Sequence, residues 1–187
     1  MPGDKTNEGH IIEAVAPAWF EMLKQLERDP AFLYNFSKNP RKFEELIAGA
    51  YERDGWSEVI LTPRSGDKGR DVIAATKPNF GSIRIVDQVK AYSPNHRVTT
   101  KDVDTLLGVL LREPNVSKGI VTTTSLFAPG IEKEENIKRL TPYRLELRDG
   151  NKFSIGSRLS THPSRDFVLI DFVFQHGQPY LLAVTAN

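Results

Sequence analysis

Three residues in the middle of the chain have the types and spacing to act together on a phosphate: Asp71, Gln88 and Lys90. In Asp71-Val72-Ile73-Ala74, a period of two sets Val72 and Ala74 on one face of a strand and Asp71 and Ile73 on the other. In the run from Ile83 to Lys90, the same alternation opposes Ile83, Ile85, Asp87 and Val89 to Arg84, Val86, Gln88 and Lys90. Gln88 and Lys90 therefore point the same way. Between the runs, Pro78, Asn79 and Gly81 supply turn chemistry, which lets the second run fold back antiparallel and bring Asp71 near Gln88 and Lys90. A carboxylate and an amide oxygen suit a hard divalent cation such as magnesium. A lysine beside them can stabilise an attacked phosphate. Asp87, although adjacent, faces the wrong side of its strand and is excluded.

The flanking sequence reads as the scaffold for this group. A helix over about 40–53 carries the apolar stripe Phe43, Leu46, Ile47, Ala50 and Tyr51. Glu44 falls on the margin of that stripe and can look into the core's edge, whereas Glu45 lies nearly opposite and should be solvated. Gly55 suits a left-handed cap, and Trp56 to Thr62 reads as a first strand. After Lys90 comes a polar loop, Tyr92 to Arg97, in which Tyr92 reads as a packing aromatic. A helix from Lys101 to Arg112 follows, capped by Thr99 or Thr100, with stripe Val103, Leu106, Leu107 and Leu110. Gly108 within it is placed to allow a close approach to the sheet. A β-branched strand over Lys118–Thr124 comes next; a helix between two strands implies a crossover and mixed pairing. A charged helix from Ile131 to Leu140 and a strand from Tyr143 to Leu147, ending in an Asp149-Gly150 turn, complete this region.

The blocks Phe43-Glu44-Glu45-Leu46-Ile47-Ala48, Gly66-Asp67-Lys68-Gly69-Arg70-Asp71-Val72-Ile73, Gln88-Val89-Lys90 and Lys118 to Phe127, in that order, resemble the Mrr-like restriction endonuclease catalytic domain. That domain belongs to the PD-(D/E)XK nuclease superfamily, and this chain has the glutamine variant of its motif. The resemblance covers about 40–150 and implies an α/β fold: a restriction-endonuclease-like core whose central mixed β-sheet is flanked by helices. It implies a metal-dependent DNA endonuclease of the restriction or defence type, using Mg2+ with Mn2+ as substitute. A structure-selective nuclease of the junction-resolvase kind, and a non-catalytic DNA-binding module retaining the fold, are the competing readings. By resemblance, Asp71 is the principal metal ligand, Gln88 the second and the Val89 backbone carbonyl a third. Lys90 orients water or neutralises the scissile phosphate, and Glu44 acts on the metal through water. Lys68, which stands where the family's Asp-Gly-Gly loop has a glycine, and Arg70, Arg97 and Lys101 would contact DNA phosphates. Gln88 replaces the superfamily's commoner carboxylate, which implies a weak metal site completed by the DNA's own oxygens. A homodimer on DNA follows from the need to cut two strands.

Outside the core, a helical stripe of Ile12, Val15, Trp19, Met22, Leu23 and Leu26 marks 1–39 as an N-terminal helical extension that packs on the core. A short helical turn is expected over Ala31–Phe36. The two β-prone runs Asp166–Phe174 and Tyr180–Val184 make 151–187 a C-terminal β-hairpin extension. The 187 residues, 39% hydrophobic and 26% charged, are ordinary for a soluble globular protein with one sizeable core. No apolar run reaches membrane-spanning length, Met1 to His10 is unlike a secretory signal, and without cysteine there is neither a disulfide framework nor a thiolate zinc site. A cytoplasmic protein with no membrane partner fits these facts. The net charge of +1 argues against a polybasic DNA-coating protein. Locally, however, Ile60 to Lys101 holds eight basic residues against three acids, a balance that favours a polyanionic substrate. The four histidines are scattered, and no GxGxxG, GK[ST] phosphate loop or GxSxG elbow occurs.

Overall fold

Helix α1 (Pro40–Arg53) starts on a proline, whose missing N–H costs nothing in the first turn, and ends before Gly55 at φ 85°. This is a computed structural model, and it describes residues 21–150 apart from 23, 27, 64–68 and 78–80. Residues 64–67 with Lys68, and the C-terminal hairpin, thus lie outside the described residues, as does most of the expected first helix.

Five strands follow α1's lead: β1 (Glu58–Leu61), β2 (Val72–Thr76), β3 (Ile83–Lys90), β4 (Lys118–Thr123) and β5 (Leu145–Arg148), in the spatial order β1-β2-β3-β4-β5. The first two pairings are antiparallel and the last two parallel. Helix α2 (Thr100–Arg112) is the crossover between β3 and β4, and its start is fixed by a capping box of Thr99 and Asp102. The mixed sheet is therefore a consequence of where this helix falls in the chain.

The two faces of the sheet separate as the alternation predicts. On one, Phe43, Leu46, Ile47 and Tyr51 of α1 pack against Val59, Leu61, Val72, Ala74, Ile85 and Val89. On the other, Val103, Leu106, Val109 and Leu110 of α2 cover Ile73, Val86, Val121, Leu145 and Leu147. Leu26, with Leu33 and Phe36 of the 3-10 helix Pro30–Lys38, joins the α1 layer, so the described part of the N-terminal extension packs on the core.

Several local expectations shift. The strand expected over Trp56–Thr62 is confined to Glu58–Leu61. The charged helix expected from Ile131 to Leu140 is broken at Glu134, whose backbone is extended, into a 3-10 turn (Ile131–Lys133) and helix α3 (Glu135–Leu140). Gly108 does not open the way to the sheet, because a Cβ there would meet only the Arg112 side chain. The close approach belongs to Gly119 on β4, where a Cβ would press on Leu106 and Leu110. Gly150 is under a harder constraint: a Cβ would overlap the Thr124 carbonyl, while its own N–H donates to Ser125 O at 2.7 Å. Thr124 cannot retreat freely, since its N–H and hydroxyl hold Lys90 O and Tyr92 O. Gly150→Ala is expected to lower stability by about 1–3 kcal/mol in urea denaturation; an unchanged midpoint would refute this contact.

Candidate active site

Asp71 stands one residue before β2. Since Val72 pairs with Asp87 in the antiparallel register, the next position sets Asp71 opposite Gln88. Its N–H donates to Asp87 O at 3.1 Å, and its carbonyl accepts from Thr62 N at 2.9 Å, so the backbone on both sides is fixed. The carboxylate turns along the strand. Val89 N–H, which has run past the start of β2, donates to Asp71 Oδ2 at 2.7 Å. A side chain thus replaces the missing strand as acceptor for that buried amide. Because N–H and C=O of one strand residue point to the same side, the Val89 carbonyl is also directed toward Asp71.

Gln88 is 2% exposed, and its Oε1 has no hydrogen-bond partner among the described residues. A buried amide oxygen without a donor is costly, and a cation would satisfy it. Gly69, at φ 83°, lies against this side chain: a Cβ there would come within 3.4 Å of Gln88 Nε2 and 2.7 Å of Thr105 Cγ2. The positive φ and the Thr105 methyl, rather than Gln88, require glycine at this position.

Lys90 follows two residues on, half-buried on the same face, and its ammonium has no hydrogen bond or ion pair among the described residues. Its backbone is held firmly. Lys90 O accepts from Thr123 Oγ1 at 2.8 Å and Thr124 N at 3.1 Å, and Thr124 Oγ1 reaches Tyr92 O at 2.6 Å. The threonine-rich end of β4 therefore pins the segment that carries the lysine, a role that strand propensity alone does not reveal. Asp102 of α2 lies in the lysine's field. Partial burial works against its charge, but hydrogen bonds from the Thr99 amide and hydroxyl and from Tyr92, with Lys90's charge, hold its carboxyl below the usual range. Tyr92 is both packed and hydrogen-bonded: burial, then its bond to Asp102, pushes its phenol up to about 12.

Glu44 is tied to this end of the sheet from the α1 side. Its Oε2 accepts from Arg41 Nη1 at 2.8 Å, and the same nitrogen donates to Thr62 O at 2.8 Å. The Thr62 hydroxyl in turn donates to Arg70 O, with Asp71 O a second acceptor at 3.2 Å. Its neighbour Glu45 is more exposed, as the helix phase predicts, and pairs with Lys42.

The expected phosphate contacts divide. Arg97 and Lys101 are exposed, with Arg97 donating to Phe127 O. Lys68 lies outside the described residues. Arg70 is not on the surface: it is 8% exposed and bonded to Glu113 Oε1 at 2.6 Å, so its charge is spent on a link to the end of α2.

Asp87 faces α1, as the alternation requires, and is wholly buried. Its Oδ2 accepts from Tyr51 Oη and Thr122 Oγ1, each at 2.9 Å. Burial pushes its pKa up to about 6, against the opposing pull of Arg148 and of the two hydroxyls. Alternate residues of β3 thus serve a structural acid on one face and the candidate site on the other.

A model of the restriction endonuclease family, the Mrr catalytic domain, matches residues 37–154. The chain belongs to the restriction endonuclease family. The match begins just before α1 and takes in every element from there to β5. Among solved structures, the MspJI restriction endonuclease in complex with a 27-mer oligonucleotide is similar at 20% identity and a TM-score of 0.50, covering 67% of this chain and 29% of that one. The DNA modification-dependent restriction endonuclease AspBHI aligns at 22% identity and a TM-score of 0.46, covering 75% and 36%. This family member therefore spans about a third of the length of either. No curated protein matches it.

The donor set of this family member fits a hard cation sparingly. Among the described residues no three His, Cys, Asp or Glu side chains cluster. The register sets side by side one carboxylate (Asp71), one buried amide oxygen without a donor among the described residues (Gln88) and the backbone of Val89, whose N–H is bonded to Asp71. No helix among the described residues is long and apolar enough to cross a membrane.

Proposed function

We propose that the chain is a divalent-metal-dependent DNA endonuclease of the restriction type, acting in the cytoplasm in defence against foreign DNA. The observation that carries this reading is the shared face of Asp71, Gln88 and Lys90: a carboxylate, an orphaned buried amide oxygen and a cation without an ion partner among the described residues. Family membership points the same way.

Asp71, Gln88 Oε1 and the Val89 carbonyl would hold the metal, Mg2+ or its substitute Mn2+, with Glu44 acting at one remove. A bound divalent ion supplies Lewis acidity and lowers the pKa of a nearby water. The chain's own part is to orient and to place charge. Val89 N–H fixes one carboxylate oxygen of Asp71, so that its position does not change when substrate arrives. Lys90 meets the negative charge that builds on the phosphate during attack. With a neutral glutamine where an acid is commoner, the site puts less negative charge in the way of the DNA and relies on phosphate oxygens to complete binding. Arg97 and Lys101, exposed nearby, contact the backbone and supply register rather than sequence. Cutting both strands calls for two such sites, hence a homodimer on DNA.

The test is cleavage of supercoiled plasmid, linear duplex and branched DNA with Mg2+ or Mn2+. Wild-type protein is expected to nick and linearise the plasmid, and Asp71→Ala to do neither. Equal nicking by both would overturn the assignment. Action on branched DNA alone would point to a resolvase, and binding without cleavage in either metal to a DNA-binding module.

A further inference from the structure

Arg41 belongs to none of the groups discussed so far, yet it joins two of them. One nitrogen, Nη1, bridges Glu44 Oε2 and Thr62 O, each at 2.8 Å. Thr62 is bonded through its N–H to Asp71 O, and through its hydroxyl to the preceding carbonyl, Arg70 O. The Arg41 and Glu44 side chains are only 18% and 14% exposed, so the pair is shielded from bulk water. Arg41 stands in the first turn of α1, where a positive charge is disfavoured by the helix dipole. The i,i+3 pair with Glu44 offsets that cost within the helix, but the bond to Thr62 O reaches across to the sheet and is no part of helix stability.

We propose that Arg41 is a positioning residue that holds Glu44 at the end of the sheet and competes with a divalent cation for its carboxylate. This inference rests on the metal-site reading above. In this arrangement Arg41 holds Oε2 of Glu44, and its fixed positive charge opposes a cation approaching the same carboxylate. The competition keeps the site weakly charged until DNA arrives and prevents Glu44 from drawing metal into the wrong place. Removing Arg41 then has two opposed effects. Cation affinity rises, because Glu44 is released, and cleavage slows, because Glu44 is no longer held. A general loosening of the fold would lower both.

The measurement is Mn2+ binding to the full chain without DNA, followed by the electron paramagnetic resonance of free Mn2+, alongside single-turnover cleavage at saturating metal. Arg41→Ala is expected to bind Mn2+ about fivefold more tightly, the strength of a shielded ion pair of this kind, while cleaving about tenfold more slowly, as for loss of an orienting partner. Arg41→Lys, which keeps the charge, is expected to stay within twofold of wild type in affinity. In a Glu44→Gln background, Arg41→Ala is expected to have no effect on affinity. Should Arg41→Ala fail to fold by circular dichroism, Arg41→Gln carries the same test, since it can still donate to Thr62 O. Unchanged or weaker Mn2+ binding by the uncharged variant overturns the role of Arg41. Mn2+ binding by Asp71→Ala equal to wild type overturns the metal-site reading itself, and the two failures are told apart by that control.

Discussion

Lys90→Ala is expected to slow DNA cleavage by about 10²–10³-fold in single-turnover assays at saturating metal, without weakening Mn2+ binding. The ammonium makes no hydrogen bond or ion pair among the described residues, so truncation strands no hydrogen-bond partner and loses only a solvent-screened attraction to Asp102. The backbone bonds from Thr123 and Thr124 to Lys90 O are untouched, and the strand that carries Asp71's partner amide stays in register. What disappears is a fixed positive charge in a half-dry position, and such groups act mainly in the transition state. The urea midpoint should therefore match wild type. Lys90→Arg is expected to recover only part of the rate, since a planar fork does not occupy the place of a compact ammonium. Cleavage by Lys90→Ala within about tenfold of wild type would remove the lysine from the chemistry.

The second large effect falls on stability. Asp87→Ala is expected to cost about 3–5 kcal/mol, read as a fall in the urea midpoint. Two buried hydroxyls, Tyr51 and Thr122, lose their common acceptor. Arg148, partly buried, loses one opposing charge and keeps its ion pair with Glu146. Asp87→Asn retains an acceptor at the same place and should cost no more than about half as much. If alanine and asparagine prove equally mild, the buried network is not what ties α1 to β3 at this level. The contrast matters for interpretation, because Asp87 lies next to Gln88 and an inactive variant there is easily mistaken for loss of a ligand.

How much of this was legible beforehand depended on the range of the interaction. The period of two in Ile83–Lys90 separated Gln88 and Lys90 from Asp87 correctly, and the helix phase placed Glu44 at the margin and Glu45 outward. Both are local regularities set by backbone geometry. The boundaries of α1 and β3 matched the expectation for the same reason. Contacts between distant positions left no such trace. Arg70 reads as one more base in a basic tract, and only the arrival of Glu113 from the end of α2 shows that it is a buried pair. Nothing in the sequence singles out Arg41 until Thr62 is brought beside it across 21 positions. The capture of Val89 N–H by Asp71 depends on β2 starting one residue late. Periodicity has no access to that detail. A buried acid on the apolar face of β3 was the one visible anomaly, and its partners, a tyrosine and a threonine, come from different elements.

The grip of β4 on the end of β3 bears on how the protein folds. Lys90 O and Tyr92 O wait for donors that arrive more than thirty residues later in the chain, after the whole of α2 has been laid across the sheet. The β1–β2–β3 meander can zip up from near neighbours, but the tip carrying the proposed site acquires its shape only when this distant closure is made, a step of high contact order. Partly folded chains can therefore carry the meander while the end of β3, with the residues proposed for the site, stays unshaped until β3 and β4 have paired.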